Sequence, residues 1–311
     1  MAILLLRRLL QAVPALMGVT LVVFLLLNAS GDPTHFMLPP DATESDRQAF
    51  RRAHGLDQPL WVQYGRFLWN VARGDLGRSF AYRAPAVEVL MGRVPATLEL
   101  GLASTLLALL VGIPSGVIAA FRQNSAFDYL VMVSATLGQS IATFWLGLML
   151  VMFVSVQLGL LPASGRGSWA QLILPAITLS TWLLALLARM TRSAVLEVLR
   201  RDYIRTAYAK GLAPRAVLVR HALKNALIPI ITLLGVSFSY QMGGAVVVET
   251  VFNWPGVGTL MFDSVLRRDY PVVLTTVLFV GLAFVAVNFL VDVLYGTIDP
   301  RIRLSGVSGS R

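Results

Sequence analysis

The chain has no cysteine and only three histidines (His35, His54 and His221), scattered without the spacing of a metal-ligand set. Disulfides, thiolate metal centres and cysteine catalysis are therefore excluded, and no metal or other cofactor is expected. Charge is scarce as well. Only 14% of the 311 residues are charged, where a soluble domain carries closer to a quarter, and 56% are hydrophobic. The phosphate-cradling pattern Gly-x4-Gly-Lys-[Ser/Thr] is missing too, so the chain is not expected to bind ATP itself. No nucleophile–base pair lies within the apolar stretches. An enzyme is not the expected reading.

The absences are unevenly distributed. Asp, Glu, Lys and Arg are missing from 9–31, 100–121, 129–165, 167–188, 225–248 and 270–291. Roughly 20 apolar residues are enough to cross a bilayer core of about 30 Å as a helix, and a backbone in lipid must satisfy its own hydrogen bonds. An all-α membrane protein with six spans is expected, near 9–29, 98–121, 129–156, 170–188, 225–248 and 271–293. In the longest stretch Leu158 to Ser164, with Gly159 and Pro162, reads as a loop. The first apolar run reaches from Leu9 to Leu27, longer than the roughly 7–15 residues of a secretory signal, so a retained anchor is expected. The whole chain, 1–311, reads as a single transmembrane domain.

Orientation follows from the basic residues beside the spans. Between the fourth and fifth runs lie nine of them: Arg189, Arg192, Arg200, Arg201, Arg205, Lys210, Arg215, Arg220 and Lys224, opposed only by Glu197 and Asp202. That loop is expected in the cytoplasm, with both termini on the same side. The segment 32–95 balances eight Arg with seven acids and is expected outside. A net charge of +10 suggests nucleic acid, but the cytoplasmic loops account for it, and no nucleic-acid partner is expected. Within 32–95, Leu60 to Arg73 sets Trp61, Tyr64 and Leu68 at helical spacing, with Trp69 beside them. Two readings remain open: a helix along the outer membrane surface in contact with lipid, or a packed cap over the bundle.

Inside the spans, small residues mark packing faces: Ser134, Gly138 and Ala142 in the third, Gly235 and Ser239 in the fifth. A polar stripe joins Ser237, Tyr240, Gln241 and Gly244 at offsets of 0, 3, 4 and 7. It is expected either to line a translocation pathway, with Asn288 as partner, or to hydrogen-bond between helices. No charge sits at the centre of any span, which disfavours a proton-coupled carrier.

Residues 193–224 form the cytoplasmic segment. Leu196, Leu199, Tyr203 and Ala207 fall on one helical face, Gly211 breaks the run, and Pro214 suits the first turn of a second helix near 213–224. The run Asp202-Tyr203-Ile204-Arg205-Thr206-Ala207-Tyr208-Ala209-Lys210-Gly211, followed by Arg220-His221-Ala222-Leu223-Lys224-Asn225-Ala226-Leu227-Ile228-Pro229, resembles the coupling loop of binding-protein-dependent ABC importer permeases. It is most similar to the dipeptide, oligopeptide and nickel branch. The general pattern there is Glu-Ala-Ala, three residues, Gly, then nine residues before Ile-x-Leu-Pro. Aligned on Gly211, Arg205, Thr206 and Ala207 stand at Glu-Ala-Ala, and His221, Leu223 and Lys224 at Ile, Leu and Pro; only Ala207, Gly211 and Leu223 match strictly. The resemblance extends to Arg73-Gly74-Asp75-Leu76-Gly77-Arg78-Ser79-Phe80, Arg268-Asp269-Tyr270-Pro271 and Asp299-Pro300-Arg301.

The resemblance implies an inner-membrane permease subunit. It implies two ATP-binding cassette subunits in the cytoplasm, a second and different permease, and an external substrate-binding protein as partners. It implies contact with the ATPases through Asp202, Tyr203, Arg205, Thr206, Ala207, Gly211 and His221, and peptide as the expected substrate. The alternative is a secondary transporter or channel working without an ATPase.

Overall fold

The computed structural model describes residues 2–31, 34–38, 41–213, 217 and 224–298. The second coupling helix expected near 213–224, with His221, and the Asp299-Pro300-Arg301 tail lie outside them, apart from Ala213, Val217 and Lys224. The described chain is helical throughout, with a single isolated bridge between Arg78 and Pro85. In order the helices are α1 (Ala2–Ala29), α2 (Thr34–Met37), α3 (Glu44–His54), α4 (Leu60–Ala72), α5 (Ala86–Met91), α6 (Val94–Phe121), α7 (Ala126–Ser140), α8 (Thr143–Leu150), α9 (Trp169–Leu199), α10 (Asp202–Ala209), α11 (Lys224–Val251), α12 (Val257–Leu266) and α13 (Tyr270–Ile298).

Four stretches of these helices are long and apolar enough to cross a bilayer: Ala12–Ala29, Ala86–Phe121, Trp169–Leu199 and Tyr270–Phe289. A fifth crossing arises if the bent pair Ala126–Ser140 and Thr143–Gln157 is one span. α11 adds 28 helical residues with no charge between 225 and 248. The third run departs from the single helix expected over 129–156. α7 and α8 meet at 105°, and Val151–Gln157 continues α8 as a π-helix. The break sits at Ile141 and Ala142, whose ψ values of 127° and 130° are extended. Just before it, the Thr136 hydroxyl bonds the Met132 carbonyl and the Ser140 hydroxyl bonds the Thr136 carbonyl. Such back-bonds compete with the helical ladder and bend it.

The chain divides into two compact units, 1–97 with 255–286 and 98–254 with 287–311. In the first, Phe24 and Leu27 of α1 bury against Tyr270, Val273, Leu274 and Val277 of α13, with Tyr64 and Phe67 of α4 packed on them. α3 stays polar and exposed. Its N-terminus is closed by a capping box between Thr43 and Asp46.

In the second unit α9 is central. It runs 31 residues without interruption, Pro175 included. A Cβ on Gly112 would stand 2.8 Å from the Leu184 carbonyl oxygen, and one on Gly116 would overlap that of Ala188. Both are therefore close-approach glycines of the small-x3-small kind. Gly138 of α7 meets Thr181 and Ala185 in the same way, as packing predicts for that position. Ala108, Leu183, Leu187 and Ile230 form the buried cluster beside these contacts.

Candidate coupling and translocation surfaces

The long helix α9 carries the chain beyond its apolar part to Leu199. Arg200 ends it, and α10 begins afresh at Asp202. The face expected from Leu196 to Ala207 is thus split between two helices, and Tyr203 turns outward. An acid in the first turn suits the positive end of the α10 dipole. Ile204 and Ala207 turn inward and bury with Val217 against Val198 and Leu199. Asp202, Tyr203, Arg205 and Thr206 share the exposed side. Ala207 therefore belongs to the seat of this helix rather than to its outer surface.

Gly211 closes α10 with φ of +77°. The Leu212 N–H reaches back to the Ala207 carbonyl at 3.3 Å, the long bond of a Schellman motif with glycine in the left-handed position. The turn read from Gly211 is present, and its conformation is one that only glycine adopts without strain.

A second fastening lies nearby and was not anticipated. Arg192 of α9 grips Asp128 of α7 with two bonds, Nε to Oδ1 at 2.5 Å and Nη2 to Oδ2 at 2.7 Å. Asp128 is buried and also accepts the Asn124 N–H at 3.0 Å. The only sequence signal was an acid beside the short turn that precedes an apolar run.

On α11 the polar stripe divides. Ser237 and Gln241 are buried. The Gln241 Oε1 accepts the Thr105 hydroxyl of α6 at 2.8 Å, and its Nε2 donates to Ser104 at 3.4 Å. Gly244 is half-buried, and a Cβ there would stand 3.3 Å from Leu179. The backbone of Tyr240 lies on the same helix. Asn288 is half-buried on α13. Among the described side chains of α11, Gly243, Val247 and Thr250 are exposed, at offsets of 0, 4 and 7.

The sequence motifs at 73–80 and 268–271 converge on three consecutive residues. Arg268 donates to the Ser30 carbonyl. The Tyr270 hydroxyl reaches the Leu27 and Gly31 carbonyls, at 2.8 and 2.6 Å. Between them the buried Asp269 carboxylate accepts the Ser79 hydroxyl and the N–H groups of Phe80 and Ala81, the latter two at 3.1 Å each. The Ser79 hydroxyl in turn accepts the Tyr82 N–H. Thr275 donates to the Leu76 carbonyl at 3.2 Å. Both ends of the 32–95 segment are thus held by the start of α13. Beside this clamp is a cavity of about 670 Å³, with Phe24, Phe67 and Leu274 in its wall and Arg66, Arg78 and Arg83 at its edge.

Residues 112–304 match the family described as the binding-protein-dependent transport system inner membrane component, and residues 1–101 match its N-terminal part. The chain belongs to that family. Such a permease has ATPase and substrate-binding partners. Over 96% of its length the chain is 43% identical to the dipeptide transport system permease protein DppB of Escherichia coli (strain K12), covering 98% of it. It is 42% identical to the oligopeptide transport system permease protein AppB of Bacillus subtilis (strain 168), with 97% and 99% of the two chains covered. Among solved structures, a chain of the inward-facing MetNI methionine ABC transporter superposes with a TM-score of 0.60 at 19% identity. That match covers 69% of this permease and 98% of the other chain, and it shows a shared fold. The chain is a permease subunit of an ABC importer, a multi-pass inner-membrane protein.

Proposed function

We propose that this permease forms half of a peptide pathway, completed by a second and different permease and driven by two cytoplasmic ATPases. An external binding protein delivers the peptide. Counting α7 with α8 as one crossing and α11 as another makes six spans, with both termini in the cytoplasm and 32–95 outside. The relatives' transport of dipeptides and oligopeptides supports the substrate class.

The observation that carries the coupling role is α10 itself. A helix seated on three apolar residues and closed by a left-handed glycine presents Asp202, Tyr203, Arg205 and Thr206 outward. It stands at the end of α9, so displacement of α10 by a closing ATPase passes into the bundle as rigid motion. Ser237 and Gln241 fix α11 from behind. The pathway then runs along Gly243, Gly244, Val247 and Thr250, with Tyr240 and Asn288 at its margins.

Two measurements test the reading. The chain should co-purify with an ATPase, and purification without one would leave a carrier or channel as the answer. Because the sequence has no cysteine, Ser164→Cys should react with an impermeant thiol reagent outside intact cells while Ser193→Cys stays protected. The reverse pattern overturns the orientation.

A further inference from the structure

α4 is drawn in sequence as part of an outward segment, yet its contacts lie deep along α1. The Tyr64 hydroxyl donates to the Met17 carbonyl at 2.7 Å and pairs with the buried Thr20 hydroxyl at 3.1 Å. Met17 and Thr20 stand in the middle of the apolar run from Leu9 to Leu27. At 1.5 Å per residue, Met17 is about 18 Å below the end of α1, more than half of a hydrocarbon core about 30 Å thick. The Tyr64 ring packs 5.5 Å from that of Phe24, and Phe67 joins the same cluster.

Among the described residues, none is packed on the opposite face of α4. Trp61 and Trp69 are 78% and 60% exposed, and a Cβ on Gly65 would meet nothing within 4 Å. α4 carries no acid, and its one charge, Arg66, is bonded to Gln58 at 2.8 Å. The Gln63 amide covers the Leu56 and Gln58 carbonyls at the helix entrance, at 3.2 and 2.7 Å. Backbone in lipid needs such internal partners. At the other end Arg73 lies over the Trp69 ring, 4.6 Å from its centroid, the pairing suited to the headgroup layer. α3, only five residues earlier, reads Glu-Ser-Asp-Arg-Gln-Ala-Phe-Arg-Arg-Ala-His and is suited to water.

We infer that α4 is a membrane-inserted helix whose Trp61, Gly65 and Trp69 face contacts phospholipid acyl chains, in the outer leaflet given the orientation proposed above. Spin labels on single cysteines test it in the full-length chain, assembled with its partners in vesicles of phosphatidylethanolamine and phosphatidylglycerol. The label is attached to this chain before assembly. Labels at Gly65→Cys and Trp69→Cys should collide severalfold more often with dissolved oxygen than with a water-soluble nickel chelate, and a label at Gln48→Cys on α3 should show the reverse. Nickel access at Gly65→Cys would make α4 a water-exposed external helix and overturn the inference. Low access to both reagents would mean that protein covers the face, which also overturns it. A wrong orientation would reverse the Ser164 and Ser193 labelling and leave these collision rates unchanged, so the two failures are distinguishable.

Discussion

The loop that leads from α4 to α5 and the segment around α10 are both short pieces beside long helices, but they are fastened by opposite means. The first is held by direction. A buried carboxylate, Asp269, takes three hydrogen bonds from residues 79–81, and Tyr270 and Arg268 take the end of α1. The second rests on an apolar seat, with Ile204, Ala207 and Val217 buried together and Gly211 setting the exit angle. Hydrogen bonds weaken steeply once bent, whereas apolar burial is non-directional and tolerates sliding. The first fastening is suited to keeping one geometry, and the second to passing on a push.

Breaking the α10 side should have the largest effect. Gly211→Val forces a β-branched residue into a left-handed turn, a local cost of about 1–3 kcal/mol. A Cβ at this site meets nothing within 4 Å, so strain is the only penalty and the spans should still insert. We expect uptake to be abolished and ATPase stimulation by the loaded binding protein to be lost in reconstituted complexes. Normal stimulation would reduce α10 to a solvated loop.

Asp269→Ala should act the other way, through stability. It leaves the Phe80 and Ala81 N–H groups without their acceptor and removes charge-assisted bonds, at a cost of about 3 kcal/mol. The expected result is a lower melting temperature of the solubilised chain and faster proteolysis within 73–83. A variant with full stability and impaired transport would erase the contrast between the two fastenings.

Asp128→Asn should weaken the second unit by about 1–3 kcal/mol, because Arg192 keeps one oxygen partner and is partly in water. Thermal unfolding of the solubilised chain reads this, and no change would make the pair a surface contact. Gln241→Leu should matter least, under about 1 kcal/mol. Thr105 and Ser104 each already bond the Gly101 carbonyl, at 2.7 and 3.0 Å, so neither is stranded. Uptake should be nearly unchanged. A large loss of uptake in a normally assembled complex would put Gln241 in the pathway after all.

These cases show where sequence reading reaches. Long helices were legible because lipid excludes charge, and charge-free runs are visible one residue at a time. The turn at Gly211 was legible because a glycine is itself the physical cause. The bend between α7 and α8 was not, since Ser140, Ile141 and Ala142 include no glycine. Nor were the partners of Asp269 and Gln241, which lie 190 and 136 residues away in sequence. Gly112-x3-Gly116 stood in plain view within an apolar run, the one signal that closer attention to small-residue spacing recovers.

α9 has a mechanical consequence. Its 31 residues extend about 46 Å, well beyond a bilayer core of about 30 Å. The glycine contacts of α6 and α7 bear on it from Thr181 to Arg192, where Asp128 also holds it. A rod gripped over that stretch pivots about it. Tilt imposed at the Arg200 end arrives at the Trp169 end with the same angle and the opposite sense, so an inward swing of one arm is an outward swing of the other.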